Sequence, residues 1–189
     1  MNFIRPIFEK KHGTERGYVR YLLSLFDHYT GRIDNYNQIK PQRVKRVVFV
    51  CLGNICRSAY AHHYAIKHDL GMPVVSLGLS TNTGSPANEV AIETATKRGV
   101  DLTTHIATDL TDFDVQEGDL FLVMEIRQAN KLSGLLSDYK DFQVALLGSY
   151  CQPIHPHLHD PYSLNKDYFN HCFTLIENAV VNLKKEFIK

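Results

Sequence analysis

The chain has 189 residues, 44% of them hydrophobic, and a formal net charge of +1. That length allows one domain with its own core plus a short appendage, and the charge balance carries neither a nucleic-acid nor a membrane-surface footprint. No apolar run approaches the ~20 residues of a membrane span, the first residues turn charged too early for a secretory signal, and cysteines at 51, 56, 151 and 172 do not resemble a disulfide scaffold. A cytoplasmic setting with free thiols is the expectation.

Residues 1–44 stand apart from the rest. Val19, Leu22, Leu23, Leu25, Phe26 and Tyr29 fall at helical spacing and predict a helix over 15–29, stopped by Gly31. We expect this helix to pack on the main body, with a partner or oligomer contact as the alternative. The polar stretch 32–43, ending near Pro41, reads as a linker. From 46 onward the chain alternates between two periods. Strands are expected at 46–52, 74–79, 120–124 and 142–147, and helices at 58–68, 87–98, 127–136 and 167–186. The last helix carries one apolar stripe through Tyr168, Cys172, Leu175, Ile176, Ala179, Val180, Leu183 and Phe187. Continuous apolar strands alternating with helices predict a parallel sheet covered on both faces. Ligands of such sheets bind at the carboxyl ends of the strands.

At the end of the first of these strands stands Cys51-Leu-Gly-Asn-Ile-Cys-Arg-Ser58, leading into a helix. A strand-to-helix turn aims successive backbone N–H groups and the positive end of the helix dipole at one point, which suits a tetrahedral oxyanion. Gly53 permits close approach of the backbone, and Asn54 tolerates a left-handed conformation while its amide ties the turn together. Arg57, six residues after Cys51, has a planar fork for two phosphate oxygens. The same positive surroundings favour Cys51 as thiolate, the nucleophilic form, and Ser58 can donate to its sulfur. The loop lacks the Gly-Lys-Ser/Thr ending of a nucleotide-binding loop. A buried structural cysteine is the bland alternative. The strand–loop–helix placement and the contiguous Gly-Asn-x-Cys-Arg-Ser argue against it.

The loop resembles that of the low-molecular-weight protein-tyrosine phosphatases, whose pattern is C-x-G-N-x-C-R-S. The resemblance runs from about Val47 to the C-terminus through Ser76-Leu-Gly78, Gly84-Ser-Pro86, Gly99-Val-Asp-Leu-Thr-Thr-His105, Met124-Glu125, Leu146-Leu-Gly-Ser-Tyr150 and Asp160-Pro-Tyr162. It implies a three-layer flavodoxin-like α/β fold, a four-stranded parallel sheet of order 2-1-3-4, with 45–189 as the catalytic domain; residues 1–44, the helical extension and linker, lie outside it. It also implies roles. Cys51 would be the nucleophile and Arg57 the phosphate clamp. Leu52, Gly53, Asn54, Ile55, Cys56 and Ser58 would bind substrate. Asp160, of the family's Asp-Pro motif, would be the general acid and base; without the resemblance it reads as an Asx-Pro turn residue. Cys56 matches a second cysteine able to trap the oxidised nucleophile as a disulfide, and His105 one that supports Asn54. Tyr162 matches an aromatic that favours a flat phenyl ring, and a phosphorylation site by analogy. The implied partners are a phosphotyrosine protein, a tyrosine kinase among the candidates, and inhibitory oxyanions such as phosphate or vanadate. No cofactor, metal, nucleic acid or membrane is called for.

The sequence departs from the family around the pocket. Ala59 replaces a proline, His62 a common glutamate, 81–83 lacks an aromatic, and Ser163-Leu164 replaces an aromatic and a glycine. These departures bear on substrate preference. His155-Pro-His157-Leu-His159 with Cys151 nearby raises a zinc site, but the spacing is not that of structural zinc; a polar pocket rim before Asp160 is the expectation. Two alternatives to a phosphatase stand open. One is an arsenate reductase of the same loop type, for which Cys151 and Cys172 are too far apart in sequence to match the usual cysteine pair. The other is a non-catalytic phosphate-binding regulatory module, disfavoured by an intact Cys51, Arg57 and Asp160.

Overall fold

The computed structural model describes residues 4–188. Two helices open the chain, α1 (Ile4–His12) and α2 (Glu15–Tyr29), and short 3₁₀ turns lead on to the alternating unit. That unit runs β1 (Arg46–Cys51), α3 (Arg57–Lys67), β2 (Val74–Gly78), α4 (Glu89–Lys97), β3 (Asp119–Val123), α5 (Ile126–Leu135), β4 (Gln143–Leu146) and α6 (Lys166–Ile188). The four strands form one parallel sheet of order β2-β1-β3-β4, a flavodoxin-like α/β fold. The strand order reverses beside β1, so its carboxyl end is where a ligand crevice should open.

Alternation along the strands separates two cores. Val47, Phe49 and Cys51 face one side with Tyr60 of α3, Ala91 of α4 and Phe173 of α6. Val48 and Val50 face the other with Phe121, Leu132 of α5 and Ile33. Because both faces are covered, the strands carry no polar alternation, which is why they read as unbroken apolar runs. Tyr60 and Phe173 stack at 3.7 Å between ring centroids and lock α3 to α6.

The extension departs from its reading in two respects. The sequence pattern predicts no helix over 4–12, yet α1 forms and lies against α6. The predicted helix over 15–29 is present, capped by Thr14 accepting from the Gly17 N–H, but it buries the opposite face. Val19, Leu22, Leu23, Phe26 and Tyr29 are exposed, whereas Gly17 and Ser24 are buried. The segment 32–43 runs pinned to the body: Ile33 is in the second core, and Gln143 of β4 bonds both the N–H and the carbonyl of Lys40. Among the described residues no helix is long and apolar enough to cross a membrane.

Candidate active site

β1 ends at Cys51 and α3 begins at Arg57, so the chain turns through 52–56 at the carboxyl end of the central strand. Asn54 organises this turn. It sits at φ 51°, in the left-handed region that asparagine tolerates, and its N–H donates to Cys51 Sγ at 3.2 Å. Its side-chain oxygen accepts from the Thr108 N–H at 3.0 Å, which fixes the orientation of the amide. The amide nitrogen then donates to Ser58 Oγ at 2.8 Å and Ser76 Oγ at 2.9 Å. With that acceptor position filled, the Ser58 hydroxyl proton is free to point at Cys51 Sγ, 3.0 Å away. His105 Nε2 lies 2.7 Å from the Asn54 carbonyl, and since a carbonyl only accepts, Nε2 carries the proton. Burial lowers the His105 pKa and keeps the ring neutral. At Gly78 a Cβ would stand 2.9 Å from the Leu52 carbonyl oxygen, so β2 can meet the loop only because the residue is glycine. Gly53 differs: a Cβ there would meet nothing closer than Ile55 at 3.5 Å, so protein contacts do not demand a glycine.

Arg57 is fully buried. Its Nη1 donates to Glu125 Oε1 at 2.7 Å and to the Leu158 carbonyl at 2.9 Å. Its Nη2 lies 2.7 Å from Asp160 Oδ2 in an ion pair that is not aligned as a hydrogen bond. Nε, like Nη2, has no hydrogen-bond acceptor in the protein. The guanidinium is thus hydrogen-bonded through Nη1, with Asp160 beside Nη2 and no acceptor at Nε. Burial pushes Arg57 down, but Asp160, Cys51 and Glu125 together raise it above its ordinary value. Burial likewise pushes Glu125 up, and Arg57, His157 and Arg127 outweigh it to hold the carboxyl at about 2. Asp160 is fixed by two contacts, since Oδ1 also accepts from the Tyr162 N–H at 3.2 Å in an Asx turn.

Cys51, Arg57 and Asp160 share one open cleft. Cys51 and Arg57 are lined up with Leu52, Gly53, Ile55 and Cys56 of the loop, and Ser80, Asp160 and Tyr162 complete it. Asn54, Ser58 and His105 are buried and stand behind the loop, not in the cleft. Burial, with Cys51 nearby, raises the pKa of the Cys56 thiol. Ser80 gave no signal in the sequence, and Met124-Glu125 carried part of the resemblance without a role for Glu125, since a lone carboxylate after a strand has no spacing signature of its own.

The expected polar rim at 155–159 is a docking surface for the extension. His155 stacks on Tyr21 of α2 with centroids 4.2 Å apart, and His159 Nε2 bonds Thr14 Oγ1 at 3.1 Å. Cys151 and Cys172 are buried thiols that donate to the carbonyls of Leu175 and His159.

Residues 46–189 match the family model described as low molecular weight phosphotyrosine protein phosphatase. The probable low molecular weight protein-tyrosine-phosphatase EpsP of Ralstonia nicotianae is 36% identical over 89 residues, 47% of this chain and 61% of that one. The chain therefore spans about three-fifths of the length of that relative. The probable phosphatase AmsI of Erwinia amylovora is 29% identical over 72% of this chain and 92% of its own. Its crystal structure superposes with a TM-score of 0.66 at 26% identity, covering 77% and 95% of the two chains. Vibrio vulnificus Wzb in complex with benzylphosphonate gives a TM-score of 0.65 at 27% identity, covering 75% and 98%.

Proposed function

The chain belongs to the low molecular weight phosphotyrosine protein phosphatase family, and on that premise we propose that it hydrolyses phosphotyrosine in proteins through a phosphocysteine. The Cys51 thiolate attacks phosphorus in line with the scissile P–O bond. Loop N–H groups and the Nε–Nη2 edge of Arg57 hold the equatorial oxygens. Asp160 gives a proton to the departing tyrosine oxygen, without which phenolate leaves poorly. A water that loses its proton to Asp160 then cleaves the phosphocysteine. Loop and arginine supply the electrostatic stabilisation, and Glu125 and Leu158 keep the arginine aimed. Tyr162, half exposed at the rim, offers its ring to an aryl ester; that Wzb binds benzylphosphonate is consistent with such a pocket. The reading places the reaction in the cytoplasm, with 45–189 as the catalytic unit, a phosphotyrosine protein such as a tyrosine kinase as substrate, and phosphate or vanadate as inhibitors.

One observation carries this reading. The buried Nε and Nη2 of Arg57 lack a hydrogen-bond acceptor in the protein, and Arg57 lines the cleft together with Cys51 and Asp160. The test is rapid-mixing kinetics on an aryl phosphate. The unaltered chain should release a burst of phenol, and Cys51→Ser should show neither burst nor turnover. Asp160→Ala should lower kcat by about 10²–10³-fold on phosphotyrosine and far less on esters of acidic phenols. A fully active Cys51→Ser protein would sink the mechanism, and an Asp160→Ala effect independent of leaving group would remove the acid role.

A further inference from the structure

Three imidazoles converge behind the catalytic loop, on the side away from the cleft. His62 and His63 are consecutive on α3, and His105 stands on the loop after α4. One ring nitrogen of each lies within 4.8 Å of those of the other two. Among the described residues no other group of three His, Cys, Asp or Glu side chains comes so close together, including the histidines of 155–159.

The nearest pair has the span a metal needs. His63 Nε2 and His105 Nδ1 are 3.3 Å apart. Two imidazole nitrogens on one tetrahedral zinc, each at about 2.0–2.1 Å, are separated by about 3.3–3.4 Å. The outer contacts fit as well. A metal-bound histidine usually donates its other N–H to a carbonyl or similar acceptor, which fixes its tautomer. His105 does so already: Nε2 is spent on the Asn54 carbonyl, leaving the Nδ1 lone pair turned toward His63. His62 has Nδ1 3.2 Å from Ser76 Oγ, the hydroxyl that also accepts from Asn54. Asp101 adds negative charge near His63. His62 and His63 are only partly buried, so an ion can enter from solvent and keep a water as its fourth ligand.

We propose that His62, His63 and His105 form a three-histidine site for a divalent transition metal of the zinc class. An all-imidazole set suits zinc, copper, nickel or cobalt over magnesium or calcium, which prefer oxygen. Two of its ligands come from α3, whose first residue is Arg57, and the third braces the Asn54 carbonyl. An ion there ties the middle of α3 to the loop after α4 and holds His105 in the tautomer that supports the loop.

The competing account is a plain hydrogen bond between His63 and His105 with His62 as a bystander. The two are separated by metal titration of the full chain carrying Cys51→Ser, which removes the cleft thiol as a ligand. Cobalt(II) should bind one equivalent with visible d–d absorption and no near-ultraviolet thiolate band. Zinc should displace it and raise Tm, since an ion bound only to the folded state stabilises it. His62→Ala and His63→Ala, each verified as folded by circular dichroism, should weaken zinc binding by at least about 100-fold. Binding that is unchanged in both variants, a thiolate band, or no cobalt spectrum from the folded chain at millimolar metal would each overturn the site. The cobalt spectrum is read on otherwise unaltered histidines, so the proposal remains testable even if a histidine variant does not fold.

Discussion

A fully buried guanidinium is stable only if its charge is answered, and Arg57 is answered on one edge by Glu125 and near the other by Asp160. Glu125 is itself 1% exposed and also takes Arg127 at 2.7 Å, so one carboxylate anchors two cations. Glu125→Gln keeps the shape and one oxygen acceptor but removes the charge. We expect about 2–3 kcal/mol lower stability in urea unfolding, together with a fall in kcat/KM. A stability change within about 0.5 kcal/mol would mean Asp160 and the Leu158 carbonyl suffice. This residue marks the limit of what the sequence discloses at the site. Cys51, Asn54, Arg57 and Ser58 are legible because a contiguous loop fixes their mutual geometry: strand, turn and helix start follow one another in a few residues. Glu125, Leu158 and Thr108 reach the loop from 68, 101 and 54 residues away. Only the assembled sheet brings them together, so no local pattern encodes the meeting.

At the scale of elements, β1 to α6 follow the alternation of apolar runs and helical periods because a sheet buried on both faces writes its strands as continuous Val, Leu and Phe. The extension is less legible. Periodicity gives α2 its helix but not its buried side: Val19, Leu22, Leu23 and Phe26 suggest a core face, yet the chain docks through Gly17, Tyr21 and Ser24. The reason lies at Gly17, where the missing side chain lets α2 approach the 155–159 segment. A Cβ there would press on the His12 carbonyl and stand 2.7 Å from His159 Cδ2. Gly17→Ala should therefore destabilise the fold by about 1–3 kcal/mol. It should also shift His159, the neighbour of Asp160, and reduce turnover several-fold on poor leaving groups. Val19→Ser, on the exposed face, should stay within about 0.5 kcal/mol of the parent. Thermal melts and phosphotyrosine kinetics on the two variants decide between the faces; equal behaviour would mean the helix pair is not seated on that segment.

On the scale of the whole molecule, histidines buried in whole or in part set the response to acid. Burial is the first cause in each case: His62 is held at about 4, His155 at about 3 and His157 at about 4. Once unfolded, each returns to about 6.5. Below that value the unfolded chain binds more protons than the folded one, so stability falls as pH drops from about 6.5 toward 4 and 3. Glu125, whose folded value is depressed to about 2, acts lower: its contribution is complete above about 4.5 and is lost as pH falls through about 2. The two effects therefore occupy different windows, and a loss between pH 6.5 and 4.5 belongs to histidine. A ring held neutral contributes at most about 2.7 kcal/mol over those two pH units, and less where, as at His62 and His155, it is only partly buried. His155 and His157 lie under the helical extension while His62 lies on α3, so protonation should loosen the docking segment and the back of the 52–56 loop together. Urea midpoints measured from pH 7.5 to 4.5 should decline steadily through this window. His155→Phe, which keeps a ring stacked on Tyr21 but cannot take a proton, should flatten part of the decline. A parent profile level down to pH 5 would show that these rings keep access to solvent, and a His155→Phe slope equal to the parent's would assign the decline to the remaining histidines whose pKa is lowered, His62, His157, His63, His105 and His159 among them.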